Sequence, residues 1–261
     1  MRTERHSISV FFPAFNDAES LRVLIPKTVA VLRDLASDFE VIVVDDGSAD
    51  DTPAVLNELS REFAALRTIR HPQNRGYGAA LRSGFQAASR ELVFYTDGDG
   101  QYDVAELKSL LARLGDNVDV VNGYKIQRAD GFIRRWLGRL YHQWVRLLFG
   151  LKIRDVDCDF RLLRRRVVEA VPLVYSSGAI CAELMAKIER AGFRVEEVPV
   201  HHHPRLTGRS QFFRVGTVMK MLRDVLTLWV RLVLLRQGPK PAAQCPSSAG
   251  ASESPKPGAA R

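Results

Sequence analysis

The sequence predicts an α/β fold, a mostly parallel and buried sheet flanked by helices, and three observations carry that prediction. Between Ser7 and Asn122, short apolar runs alternate with amphipathic stretches in a βαβα rhythm. The apolar runs are near-continuous, as strands covered on both faces require. Polar residues follow directly behind them, at the edge where open parallel sheets hold their ligands.

The elements follow in order. SISVFF is the first strand, with a helical stretch at 18–36; EVIVV leads to 50–64, LRTIR to 78–89, ELVFYT to 103–114, and DVVN closes the series. The polar residues behind these strands are Asn16, Asp17, Asp45, Asp46, Asn74, Asp97 and Asp99. At 261 residues, 46% hydrophobic and 26% charged, the chain suits one globular domain with appendages and excludes disorder as its main state. A net charge of +8 calls for an anionic partner: nucleotide phosphate, anionic lipid or nucleic acid. The last is not expected, because zinc-finger spacing and an RNP aromatic signature are both missing. Cys158, Cys181 and Cys245 form no CxxC pair, which argues for a reducing compartment. The apolar run before Pro13 is too brief for a signal peptide or anchor, so the N-terminus is expected to open the fold.

In FIRRWLGRLYHQWVRLLF, apolar residues at helical spacing oppose Arg134, Arg135, Arg139, His142 and Arg146. This predicts a basic amphipathic helix over 131–149, suited to core packing or to a membrane interface. A second such helix is expected at 211–236. Its most apolar part, 225–235, contains Arg231 and is shorter than the ~20 residues of a membrane span, so peripheral contact is expected. The Pro, Ala, Ser and Gly of 237–261 predict a disordered tail. The expected division is a main domain over 1–210, an interfacial helix over 211–236 and the tail.

Chemistry concentrates in YTDGDGQYD. Asp97 and Asp99, one glycine apart behind a strand, can converge on a hard cation with a diphosphate as co-ligand; a solvated acidic turn is the alternative. In VIVVDDGSADDT, Asp45 and Asp46 can accept hydrogen bonds from base and ribose, while Ser48 or Asp50 caps the next helix. In NRGYGAALRSGF, Gly76 and Gly78 permit close approach to a phosphate or make a plain turn. No GxxxxGK[ST] is present, so a P-loop NTPase is not supported. Of His201, His202 and His203, only the outer two share a strand face, and a polar strand end explains them better than a metal.

Together and in this order, FFPAFNDAES, VVDDGSADDT, NRGYGAALRSGF and TDGDGQ resemble the nucleotide-binding half of family-2 glycosyltransferases. DVDCDFRLLRR, CAELMAKIERAGFRVEEVPV and RLTGRSQFF look like the polyprenyl-phosphate glycosyltransferases, the dolichol-phosphate mannose synthase type among them. The resemblance covers residues 7 to 215. It implies a GT-A (Rossmann-like) fold and an inverting transfer of a hexose from GDP-mannose or UDP-glucose to a polyprenyl phosphate. It further implies Mg²⁺ or Mn²⁺ and a peripheral place on the cytoplasmic face of a membrane.

Carried over position by position, the resemblance implies that Pro13, Phe15, Asp17, Val44 and Asp46 hold the nucleoside. Asp97, Gly98, Asp99 and Gln101 would hold diphosphate and metal, with Asp97, Asp99 and Gln101 as the metal ligands. Lys125 stands where the family places a substrate-contacting arginine. Arg134 or Arg135 matches its basic acceptor loop, and Arg205 with Ser210 matches the RxxGxS element that closes over the phosphates. Asp17 replaces a glutamate, Gln211 a lysine, and Asp159 the usual glycine. A lipid-phosphate acceptor is already anionic and needs positioning and charge neutralisation more than a base. A saccharide hydroxyl would need a carboxylate base, from Asp155, Asp157, Asp159 or Glu183, although Glu183, on a helix starting near Ala179, fits a structural salt bridge equally well: the two readings stay open. A non-catalytic membrane-binding protein is the alternative from a different class.

Overall fold

The computed structural model describes residues 5–128, 132–204 and 215–239. The predicted rhythm is there: β1 (Ser7–Ala14), α1 (Ala18–Leu35), β2 (Asp38–Asp45), α2 (Thr52–Glu62), β3 (Leu66–Arg70), α3 (Tyr77–Ala87) and β4 (Leu92–Thr96). A short 3-10 turn then leads into α4 (Leu107–Arg113) and β5 (Val120–Arg128). The second half adds α5 (Phe132–Phe149), β6 (Phe160–Arg164), α6 (Arg165–Ala170), α7 (Ala179–Arg190), β7 (Val195–His202) and α8 (Val215–Trp229). A π-helical segment, Val230–Leu234, continues α8.

The seven strands lie in the order β3-β2-β1-β4-β6-β5-β7. The chain leaves β1 toward β2 and β3, then returns to β4 on the other side of β1. That reversal of direction opens a crevice at the carboxyl ends of β1 and β4. Only β6 runs against its neighbours, antiparallel to both β4 and β5. Because β5 ends and β6 begins at the same edge, the described residues 132–159 between them lead back to the carboxyl edge of the sheet.

Alternation along the strands divides the core into two layers. Phe11, Ile42, Val44, Tyr95 and Leu163 face α3 and α7, and Val10, Phe12, Val43, Phe94 and Leu162 face α1, α2 and α4. Each such side chain contributes about 1.5–3 kcal/mol by leaving water. In the first layer Phe11 stacks on Tyr95 at 5.3 Å, with Phe85 edge-on to Phe11 at 4.9 Å. Gly84 permits that contact, since a Cβ there would stand 2.2 Å from the Phe11 ring.

Helix α7 is buried almost throughout, and α8 packs on it. Leu140 and Leu147 on α5, Met219 and Leu226 on α8, and Leu234 and Leu235 beyond it turn outward. Among the described residues no helix is long and apolar enough to cross a membrane. The expected start of the second amphipathic helix at 211–214 and the tail from 240 lie outside the described residues.

Candidate active site

The loop behind β1 is shaped by its own polar residues. Asn16 takes a left-handed conformation (φ 59°), donates its N–H to Ser48 Oγ at 2.9 Å, and accepts from Ala49 N at 2.9 Å. Asp17 accepts the Phe15 N–H at 3.0 Å, folding the loop so that Phe15 stands half-buried above β1. Pro13 and Val44 are register partners on β1 and β2, both buried beneath it. Neither Ser48 nor Asp50 is the cap expected of it: Asp51 stands at the N-cap of α2 without a side-chain capping bond, Ser48 is engaged by Asn16, and Asp50 accepts from Thr52 N at 3.0 Å from one position earlier.

Asp45 and Asp46 organise backbone. Asp45 accepts Ser48 N at 2.8 Å and pairs with Arg70 at 3.4 Å. Asp46 receives His71 Nδ1 at 2.6 Å, Arg75 N at 3.0 Å and Gly76 N at 2.8 Å. This ties the end of β2 to the turn that opens α3. The glycines of that turn serve a protein contact and not the phosphate approach: Cβ atoms on Gly76 and Gly78 would stand 2.6 Å from Ser176 O and 2.5 Å from Tyr175 O. Gly78 N also donates to Ser176 O at 3.0 Å.

The Asp97-Gly98-Asp99 turn caps the crevice. Gly98 N donates to Pro13 O at 3.1 Å, and Asp99 accepts Gln101 N at 3.0 Å. Gln101 Nε2 donates to His203 O at 2.9 Å, binding the turn to the end of β7. Tyr77 donates its hydroxyl to Asp97 Oδ1 at 2.9 Å.

The antiparallel β4–β6 ladder pairs Thr96 with Phe160, so the next residues outward, Asp97 and Asp159, face each other. Asp159 accepts from the Cys181 thiol at 3.2 Å and lies 3.8 Å from Arg161. Arg161, fully buried, sits in register with Tyr95 on β4 and Asn122 on β5. Its guanidinium donates to the Tyr95 hydroxyl, to Asn122 Oδ1 at 2.6 Å and to Val156 O, cross-linking three strands beneath the acids. Lys125 Nζ donates to Asp157 O at 2.8 Å, and Lys125 N reaches Asp155 Oδ2 at 3.4 Å.

Among the described residues, five carboxylates, Asp97, Asp99, Asp155, Asp157 and Asp159, thus share one edge with two cations, Lys125 and Arg161. The electrostatics record that imbalance. Burial, then the charges of Asp159 and Asp99, hold the Asp97 carboxyl well above the ordinary carboxylate range. Burial and Asp155 push Asp157 up to about 7. Burial works against the charge of Lys125, yet Cys158, Asp155, Asp159 and Asp157 outweigh it and raise its pKa. An excess of hard oxygen donors with too little positive charge fits a divalent cation. Among the described residues no group of three or more His, Cys, Asp or Glu is arranged to hold a metal by protein ligands alone. A cation here would therefore need substrate or water oxygens to complete its shell.

Glu183 forms the structural salt bridge that stood as the alternative to a base. It is fully buried and accepts Val174 N and Tyr175 N, each at 3.1 Å, with Lys187 Nζ at 2.7 Å. With its oxygens held by three donors it clamps the 172–175 loop. Arg134 and Arg135 fall in the first turn of α5, where the side chains lie outside the described residues, as do Arg205 and Ser210 altogether. His201 pairs with Glu106 at 3.1 Å and His202 packs on Tyr102, as a structural strand end requires.

Sequence reasoning passed over Tyr77, His71 and Arg161. The signal for Arg161 was present: an arginine inside the apolar run FRLLR has to find buried partners. The Tyr77 contact carried no local signal, because it joins residues 20 positions apart.

A nucleotide-binding α/β half whose acid pair caps the switch point, closed by an antiparallel strand from the second half, is the GT-A glycosyltransferase architecture. Residues 9–171 match the Glycosyl transferase family 2 profile, and the chain belongs to that family and is a glycosyltransferase. Undecaprenyl-phosphate 4-deoxy-4-formamido-L-arabinose transferases from Enterobacter sp. (strain 638) and Pseudomonas fluorescens (strain SBW25) are each 30% identical to it. The alignments cover 85% of this chain and 68% and 64% of those relatives, so the chain spans about two thirds of their length. Among solved structures, glucosyl-3-phosphoglycerate synthase from Mycobacterium tuberculosis with Mn²⁺, UDP and glucosyl-3-phosphoglycerate superposes with a TM-score of 0.65. It is 20% identical, with 86% of this chain and 79% of that one covered. The same enzyme with Mg²⁺ and UDP gives a TM-score of 0.64 at 18% identity, covering 86% and 78%.

Proposed function

We propose that this chain transfers a sugar from a nucleotide diphosphate to a polyprenyl phosphate at the cytoplasmic face of a membrane, with inversion and with Mg²⁺ or Mn²⁺ present. The observation that carries this is the convergence of Asp97, Asp99, Asp159 and Lys125 on one edge at the switch point, with carboxylates in excess of cations among the described residues. The lipid acceptor is supported by the names of the relatives and by the outward apolar residues of α5 and α8.

In this proposal Pro13, Phe15, Asp17, Val44 and Asp46 hold the nucleoside, and Asp17 and Asp46 also keep the loops around it in shape. Asp97, Asp99 and Gln101 would ligate the cation, with Gly98 at the diphosphate. The bound ion would supply charge neutralisation to the departing nucleotide diphosphate. Lys125, kept protonated by its acidic neighbours, presents a fixed positive charge at the end of β5. Arg134 or Arg135, with Arg205 and Ser210, would bring the acceptor phosphate and the diphosphate together, whose mutual repulsion is the main obstacle to attack. UDP-glucose and GDP-mannose are the donors to try first.

A second reading, a saccharide hydroxyl acceptor, draws support from Asp157, whose pKa near neutrality is what a general base requires. Incubation with labelled sugar nucleotide, Mn²⁺ and polyprenyl phosphate decides between them. The proposal expects metal-dependent transfer of label into the organic-extractable fraction. Label that reaches only water-soluble saccharide would overturn the lipid acceptor.

A further inference from the structure

Tyr77 donates its hydroxyl to Asp97 Oδ1 at 2.9 Å, while Asp97 faces the charges of Asp159 and Asp99. A carboxylate pressed by two like charges turns away from them unless something fixes its plane. Tyr77 is the one side-chain hydrogen-bond donor recorded on it among the described residues.

The seat of Tyr77 is unusually determined. On one side Asp46 Oδ2 accepts Gly76 N at 2.8 Å. On the other, Gly76 and Gly78 lie directly on the backbone of 175–177, too close for any Cβ. That loop is in turn held by α8: Ser177 Oγ donates to Asp224 Oδ2 at 2.8 Å, and Lys220 Nζ donates to Ser176 Oγ at 3.1 Å. Asp224 is buried, so the Ser177 contact is shielded from water.

We propose that Tyr77 is a positioning residue for Asp97, and that α8, through Ser177 and the 175–177 loop, sets where Tyr77 stands. Helix α8, whose Met219 and Leu226 point outward, is thereby linked to the carboxylate at the centre of the site. The inference rests on Asp97 being a metal carboxylate, as proposed above. Its physical content is pre-organisation: a carboxylate already turned toward the ion loses less freedom on binding. In this proposal the hydroxyls of Tyr77 and Ser177 act through Asp97 and are not ligands of the ion.

The test is Mn²⁺ binding in the presence of UDP, followed by electron paramagnetic resonance of free Mn²⁺, on the full chain and its variants. Tyr77→Phe retains the ring and removes only the donor. It should weaken Mn²⁺ binding about tenfold, on the scale of one hydrogen bond to a charged group, and leave metal-free UDP binding unchanged. Ser177→Ala should weaken it about threefold, a smaller effect because the loop keeps its other contacts. The double variant should be no weaker than Tyr77→Phe alone, because the loop acts through that hydroxyl. Asp97→Asn provides the control. If it binds Mn²⁺ normally, the metal assignment fails and the positioning proposal with it. If Asp97→Asn loses Mn²⁺ while Tyr77→Phe binds it normally, only the positioning role is overturned. Additive losses in the double variant would overturn the link to α8.

Discussion

At the amino end of the sheet, Glu40 on β2 receives Ser9 Oγ, Ser89 N, Ser89 Oγ and Arg67, all within 2.8 Å. Burial alone would raise its pKa, but those donors win and hold it down to about 2. At the carboxyl end, Asp97 and Asp157 are driven the other way, Asp157 to about 7. The same sheet thus stabilises one acid and stresses the others. The difference separates two purposes: Glu40 joins β1, β2, β3 and the turn before β4, whereas the carboxyl-edge acids are held at a cost to stability that a cation can relieve.

Substitution on the two edges should sharpen that contrast. Asp97→Asn with Asp99→Asn should reduce turnover by roughly a thousandfold or more, the scale expected when charge stabilisation of a leaving group is lost. The same double variant should keep or raise its melting temperature in calorimetry, because repulsion is removed. A lowered melting temperature would break the comparison. Next in size, Lys125→Met should lower kcat by about a hundredfold and cost on the order of 2 kcal/mol in denaturant unfolding, since it strips a half-buried cation from among acids.

Glu40→Gln should show the opposite profile. It should cost about 2 kcal/mol of stability, by loss of charge-assisted hydrogen bonds, while kcat of the folded protein stays unchanged. Because the folded pKa of Glu40 lies below its ordinary 4.5, its contribution is present above that pH and disappears as pH falls toward about 2. Asp157 has the reverse sign. Between its ordinary 3.8 and about 7, the unfolded chain has released a proton that the folded chain retains, so stability falls as pH rises through that window. Asp157→Asn should flatten that part of the stability profile, a smaller effect readable by urea titration at several pH values.

Much of this division was legible in the sequence. The βαβα rhythm located β1 to β5, and the residues behind the strands marked the site edge, because burial and strand alternation are local properties. The reversal of β6 was not legible: FRLLR reads as a strand in either direction, and only its pairing with β4 sets Asp159 opposite Asp97. Gly76 and Gly78 advertised a close approach but not its partner, since the approaching backbone, 175–177, lies about a hundred residues away. Glu183 fitted a base and a salt bridge equally well, because a lone acid on a helix does not disclose that Val174, Tyr175 and Lys187 will surround it. Asp159, unexplained as a departure from the family pattern, acquires a place once β6 is set, as the charge that faces Asp97.

The account depends on Asp97 and Asp99 gripping a divalent ion against the diphosphate. Manganese anomalous scattering from crystals grown with Mn²⁺ and UDP tests it most directly. The predicted result is a peak within roughly 2.0–2.4 Å of oxygens from both carboxylates, as hard-cation coordination requires, shared with the UDP diphosphate. UDP bound in the crevice with manganese absent from that point, or seated instead at His201 and His203, would contradict it.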